Sequence, residues 1–351
     1  MGFLTPPVVA SPLAQGSFPG NDPREPVRIM AGETPECPTV PELPGRGPGA
    51  DMVGRTCALL ASVDADFAVE TTPTGWRLAG GLSPTAPRAM RRATAWLNHD
   101  LEAAEEGYIG APNVKCAIAG PWTVAAAVES VSGHRLVADA GVRRDVGAVY
   151  AEMVAGLVSR LHSLAPHVVL QIDEPALPAV LNAALPTPSG LQTYRAVSAE
   201  EVRAALTTVV AAAQANAGTV VLHCCAVPAP LPLLMATGAD ALSVDLTAQT
   251  ASGAGGHVEA ELGRLLESDT GLVAGVVGWD IAQPTAPTEP ISASAHRLLD
   301  LLHRLGVPLD SCAHRLAVST PCGLAGASPQ GARRVMRAVA GTSAVIRKEL
   351  A

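Results

Sequence analysis

The feature that most constrains this chain is a recurring pair of patterns. A short, almost unbroken apolar run is followed by a longer stretch with helical periodicity. The runs are Val8–Gly16, Thr39–Leu43, Cys116–Ala119, Val168–Ile172, Val220–Leu222, Ala241–Val244, Val273–Val277 and Leu316–Ser319. Runs this short, apolar at successive positions, suit strands buried on both faces, as parallel strands between helices are. Between them, Arg88–Glu106 is amphipathic. Gly141–Leu164 places Val142, Val146, Val149, Met153, Leu157 and Leu161 close to a 3.6-residue period. Ser198, with Glu201 three residues on, reads as the N-cap of a helix over Val202–Ala215. Ser292–Leu305 and Pro329–Lys348 follow the same style. About eight strand–helix units predict the α/β class and a single (β/α)8 TIM barrel, with residues 1–351 as one domain. The first ~50 residues, rich in Pro and Gly, predict a loop-rich N-terminal extension around short strands. Asp66–Leu82, turning at Pro73-Thr74-Gly75, predicts a small inserted hairpin.

Charge narrows the partners. Lys and Arg number 24 against 32 Asp and Glu, a net charge of −8, and only two residues are Lys (Lys115 and Lys348). No basic stripe is available for nucleic acid or for an anionic membrane, so neither is an expected partner. A 48% hydrophobic content excludes a disordered chain. The most apolar stretch, Thr219–Leu246, is interrupted by His223, Pro228, Pro230, Pro232 and Asp240 and does not read as a spanning helix. The start lacks the basic region of a signal peptide. Seven cysteines, an odd number, do not make a disulfide scaffold. The expected location is therefore the cytoplasm, where thiols stay reduced.

In a barrel, chemistry gathers just past the carboxyl ends of the strands. Gly16-Ser17-Phe18-Pro19 follows the first run and Glu42 the second. Gly120-Pro121-Trp122-Thr123 follows the third and Asp173-Glu174-Pro175 the fourth. His223-Cys224-Cys225 follows the fifth, Asp245 the sixth, Asp280 the seventh and Thr320-Pro321-Cys322-Gly323 the eighth. His223, Cys225, Asp245 and Cys322 offer nitrogen, sulfur and oxygen donors from one side of the barrel, a set that suits Zn2+. The same cysteines read equally as small buried hydrophobes. Cys224 points opposite to its neighbours on an extended strand end and reads as packing. Glu42, Asp173 and Glu174 form an acidic group. Carboxylates there bind a substrate ammonium, coordinate a cation, or cap the next helix.

Several pieces, taken in order, resemble the C-terminal catalytic barrel of cobalamin-independent methionine synthase. They are Gly16 to Pro19, Glu42, Gly120-Pro121 with Thr123, Gln171-Ile172-Asp173-Glu174-Pro175-Ala176-Leu177, His223-Cys224-Cys225, Asp280-Ile281 with Pro284, and Cys322-Gly323-Leu324. They span nearly the whole chain. The resemblance implies a Zn2+ cofactor held by His223, Cys225, Cys322 and, in place of a family Glu, Asp245. It implies homocysteine bound by Gly16, Ser17, Glu42 and Asp173, with Glu174 beside them. Asp280 becomes the candidate catalytic residue, with orientation of a neighbouring loop as the alternative role. The activity implied is zinc-dependent methyl transfer to the homocysteine thiol, giving methionine, from a methylcorrinoid protein or a methylfolate. The alternatives are alkyl transfer to another small thiol such as coenzyme M, and a non-catalytic zinc-binding barrel.

The chain departs from the family in ways that bear on the donor. The second, N-terminal barrel that helps bind folate in the family is not expected within these 351 residues. The family run Asp-Ile-His-Ser-Pro reads Asp280-Ile281-Ala282-Gln283-Pro284 here, and the Trp that contacts the pterin falls near Ala127. A tertiary amine leaves only when protonated, and a positioned acid supplies roughly 10²–10⁴ in rate. A corrinoid expels Co(I) without a proton, so the loss of His at 282 favours a methylcorrinoid donor.

Overall fold

The structure, a computed structural model, describes residues 2–80, 83, 85–216, 218–251, 255–282 and 291–350. In chain order its strands are β1 (Ser11–Pro12), β2 (Val69–Thr72), β3 (Gly75–Leu78), β4 (Asn113–Ala119), β5 (Val128–Glu129), β6 (His167–Asp173), β7 (Gly218–Cys224), β8 (Ala241–Asp245), β9 (Gly271–Gly275) and β10 (Leu316–Ser319). The first helices are α1 (Arg24–Glu33), α2 (Met52–Val63), α3 (Ala86–Gly107), α4 (Pro121–Ala127) and α5 (Ala140–Leu161). Seven strands form one sheet in the order β1-β10-β9-β8-β7-β6-β4, and every pairing in it is parallel.

The segment around Thr39–Glu42 joins the two ends of that sheet. Thr39 bridges Lys115 of β4, and Glu42 bridges Ser17 just past β1. Val40 N donates to Lys115 O at 2.7 Å and Phe18 N to Glu42 O at 2.8 Å. The architecture is therefore α/β with a curled parallel sheet, like a TIM barrel. The run Thr39–Leu43 makes isolated bridges and no regular ladder, because Pro38 and Pro41 have no amide hydrogen to donate.

Side-chain alternation separates two environments. On β6, Val168, Leu170 and Ile172 pack in the large core under the helices. Val169 joins a separate cluster with Leu13, Val221, Ala241, Val273 and Ala317, against Phe3 and Leu4. Gln171 and Asp173 follow Val169 on that inner face, so the interior grows more polar toward the strand ends. Each fully buried Leu or Val contributes about 1.5–3 kcal/mol. That energy holds the polar end in place.

Several expected elements appear where the periodicity put them: α3, α5, and the helices Ala199–Ala215, Ile291–Leu305 and Pro329–Lys348. Ser198 Oγ accepts from Glu201 N at 3.2 Å, the N-cap the sequence called for. The hairpin is β2 paired antiparallel with β3, turning at Pro73-Thr74. Its β3 also pairs in parallel with β5, which the sequence reading did not anticipate. The N-terminal stretch needs correcting. It was expected to be loops around short strands, but it contains the ten-residue helix α1, which buries Val27 and Met30 one turn apart. Pro26 sits in its first turn, where a missing amide hydrogen costs nothing. Among the described residues, no helix is long and apolar enough to cross a membrane.

Candidate functional site

A cavity of about 110 Å³ opens past the carboxyl ends of the strands, lined by His223, Cys225 and Cys322 together with Ser17, Glu42 and Asp173. Strand register makes His223 a direct neighbour of Asp173 on β6 and of Ser243 on β8. Cys225 follows at the end of β7. Cys224, between them, is fully buried in the outer core, as alternation predicts. Cys322 lies in the turn after β10. Leu324 N donates to Ser17 O at 2.7 Å, which ties that turn to the Gly16–Ser17 loop. A Cβ on Gly323 would lie 1.9 Å from Ser17 Oγ and 3.1 Å from Ser17 Cβ, so a side chain there would force Ser17 to turn away.

One ligand atom each from His223, Cys225 and Cys322 lies within 4.8 Å of the other two, close enough to hold a metal ion. The Cys322 thiol is pulled well below its ordinary range, first by the neighbouring Cys225 thiol and then by His223. The Cys225 thiol is pushed up by the same neighbour, Cys322, with burial adding to it. His223 Nδ1 lies 3.1 Å from Ser243 O and 3.0 Å from Ser243 Oγ. With Nδ1 donating to the Ser243 carbonyl, Nε2 keeps its free lone pair.

Asp245 stands outside this group of three. Its Oδ1 accepts from Thr247 Oγ1 at 2.6 Å and Ala248 N at 2.9 Å, so it caps the helix that follows β8. Glu174 is likewise turned to a helix. Its carboxylate accepts from Trp122 N (3.0 Å), Thr123 N (2.7 Å) and Thr123 Oγ1 (2.7 Å) at the start of α4. Both use the capping option that strand-end carboxylates have. Asp280 falls on the single turn Trp279–Ala282, and its side chain lies outside the described residues, as do Gln283 and Pro284.

Glu42 and Asp173 do face the cavity. Burial pushes the Glu42 carboxyl up to about 8; Arg55 opposes the rise and Asp173 adds to it. Burial also raises Asp173, against the pull of His223 and Lys115. Asp173 Oδ1 accepts from Gln171 Nε2 at 2.7 Å. Gly16, at φ +144°, has the backbone form that turns the chain from β1 into the cavity.

The model of the family described as cobalamin-independent synthase, catalytic domain, matches residues 106–343. The chain belongs to this family. The matched residues include Asp173, His223, Cys225 and Cys322, while Ser17 and Glu42 precede them. Among solved structures, the chain is similar to a B12-independent methionine synthase from Shewanella sp. W3-18-1 in complex with selenomethionine. That likeness has 18% identity, covers 71% of this chain and 67% of that one, and has a TM-score of 0.49. It is also similar to a glycoside hydrolase family 5 enzyme from Prevotella bryantii B14, with 11% identity, 73% and 76% coverage and a TM-score of 0.40. No curated protein matches the chain.

In this synthase-family member the cavity joins two chemistries: a nitrogen–sulfur group fit for a metal ion, and a pair of carboxylates fit for a cation. Sequence reasoning missed three interior residues that support them. Lys115 is fully buried and donates to Ala14 O (2.7 Å) and Gln15 O (2.8 Å). Gln15 and Ser243 are also buried within the curl. A lysine inside an apolar strand, in a chain with only two, was the available signal for the first. Ser243 had none, since a single small polar residue in a strand is common.

Proposed function

We propose that the protein is a zinc-dependent methyltransferase that transfers a methyl group to the thiol of homocysteine, giving methionine. The supporting observation is the His223–Cys225–Cys322 group opening on the same cavity as Ser17, Glu42 and Asp173. The donor set fits the ion. Ligands about 2.0–2.3 Å from one zinc lie roughly 3.3–3.8 Å from each other, and these three ligand atoms lie within 4.8 Å of one another. An ion held there would favour the thiolate form of a substrate thiol near neutral pH.

The chain's own residues do the rest. His223 presents Nε2 because Nδ1 is engaged by Ser243. Cys322 is already drawn toward the thiolate. Glu42 and Asp173, 6% and 8% exposed, accept hydrogen bonds from the substrate ammonium where water competes little. Gly16 and Ser17 take the substrate carboxylate, which leaves its sulfur aimed at the metal side. His223, Cys225 and Cys322 would hold the ion. Asp245 joins as a fourth ligand only by giving up its helix cap. Glu174 contributes by holding α4 and Asp173's neighbourhood, and Asp280 by acting from the loop after β9. We take residues 1–351 as one catalytic (β/α)8 barrel whose eighth strand is the bridged Thr39–Glu42 segment, working in the cytoplasm. For the donor we take a methylcorrinoid protein, because Ala282 stands where the family proton donor would be.

The test is zinc-edge X-ray absorption on the zinc-loaded protein, with homocysteine methylation followed from methylcobalamin and from methyltetrahydrofolate. A sulfur ligand gained on adding homocysteine, and turnover with the corrinoid donor, are expected. An unchanged metal shell would overturn the methyltransferase reading. Ordinary turnover from methyltetrahydrofolate without corrinoid would overturn the donor.

A further inference from the structure

Gln15 ligates nothing, yet it touches both halves of the site. It is 6% exposed and immediately precedes the Gly16–Ser17 turn. Its Nε2 approaches three oxygens of other strand ends: Ser243 Oγ at 3.0 Å, Ser319 Oγ at 3.1 Å and Thr320 O at 2.8 Å. Ser319 donates its own proton to Leu13 O at 2.8 Å, so its oxygen is left to accept from Gln15. Ser243 is the residue that engages His223 Nδ1. Thr320 Oγ1 donates to Cys322 O at 2.7 Å. The Gln15 amide therefore reaches the imidazole through Ser243 and the Cys322 turn through Thr320.

The backbone of Gln15 points the other way. Its carbonyl accepts from Lys115 Nζ at 2.8 Å and from Gln171 Nε2 at 3.1 Å. The same Gln171 Nε2 donates to Asp173 Oδ1 at 2.7 Å. One residue thus stands between the metal-facing groups and a carboxylate of the amino-acid side.

We propose that Gln15 is a positioning residue that sets the metal affinity of the site, by fixing the His223 ring and the Cys322 turn against each other. The proposal rests on the metal reading above. Partners just outside the ligands orient them, and losing one typically costs about 10–100-fold in metal affinity.

The test uses Gln15→Leu, which keeps the volume and the backbone carbonyl but removes both ends of the amide. A second variant, Ser243→Ala, removes only the hydroxyl between Gln15 and His223. Zinc affinity is measured on folded protein by competition with a chelating dye, and the cobalt-substituted form supplies the thiolate-to-metal absorption bands. Gln15→Leu is expected to weaken zinc binding about 10–100-fold and to shift the cobalt spectrum. The combined variant is expected to lose less than the product of the two single losses, because the residues act in one chain of contacts. A folded Gln15→Leu protein that binds zinc within twofold of the parent, with the same cobalt spectrum, overturns the proposal. If Gln15→Leu does not fold, Ser243→Ala decides on the same twofold criterion. A parent protein that holds no zinc overturns the metal reading and this proposal with it. A parent and variant that bind equally tightly overturn this proposal alone.

Discussion

The sulfurs of Cys225 and Cys322 lie within 4.8 Å of each other, bringing the end of β7 against the turn after β10. Cys225 and His223 together pull the Cys322 thiol well below its ordinary range. Replacing either cysteine by serine substitutes a hard, protonated oxygen for a thiolate. Cys225→Ser and Cys322→Ser are each expected to purify with almost no zinc, read by elemental analysis after dialysis. Cys322 is exposed, so its variant should stay within about 0.5 kcal/mol of the parent in folding. Zinc retained at one per chain in either variant would remove the basis for the metal site.

Glu42 gives a pH signature. Burial raises its carboxyl from an ordinary 4.5 to about 8, so the fold favours the neutral acid. The associated stability is fully present below about 4.5 and is lost as pH rises through about 8. Lys115, lowered to about 8 by burial, runs the other way. Its stability is present above its ordinary 10.5 and is lost as pH falls through about 8. The difference between parent and Glu42→Gln cancels the Lys115 effect. Glu42→Gln is expected to gain thermal stability relative to the parent as pH goes from 5 to 9. It should also bind homocysteine about 10–100-fold more weakly, the worth of a charged hydrogen bond. A melting-temperature difference that stays flat across that range would contradict the assignment.

Arg46 and Asp100 form an ion pair at 2.8 Å with side chains 4% and 5% exposed. Burial raises the Asp100 carboxyl against the pull of Arg55 and Arg46. Removing one partner leaves the other charge buried alone. Asp100→Ala is expected to lower folding stability by about 3–5 kcal/mol in urea denaturation. Arg55 is hydrogen-bonded to Pro41 O at 3.2 Å, next to Glu42, so the same variant should also weaken amino-acid binding. A loss under 1 kcal/mol would show that the pair does not hold this region.

Glu174 separates a cap from a ligand. With its three hydrogen bonds at the start of α4, Glu174→Ala is expected to cost about 1–2 kcal/mol of stability. Zinc affinity should stay within about twofold, since Glu174 takes no part in the group of His223, Cys225 and Cys322. Calorimetry and the chelator competition check the two halves. A large fall in zinc affinity with stability unchanged would return Glu174 to the metal side.

Much of this molecule was legible along the chain. Continuous apolar runs located the inner strands, because a strand covered on both faces has no room for alternating polarity. Helical periodicity located α3 and α5, and the Ser198 cap was visible because capping is local chemistry. The strand-end positions pointed to His223, Cys225 and Cys322, which the fold brings together. Helix α1 was hidden by flanking prolines and glycines that also mark loops.

The amino-acid order by itself determined where strands end, and so which side chains could gather at one mouth. It could not decide what a carboxylate there does. Asp245 and Glu174 cap helices, while Glu42 and Asp173 face the cavity. The choice depends on whether backbone amides or open space lie nearest in three dimensions. Nor could it show that Gln15, Lys115 and Ser243 form one buried network, because hydrogen-bond partners far apart in the chain meet only when the sheet curls. Tertiary packing decided both.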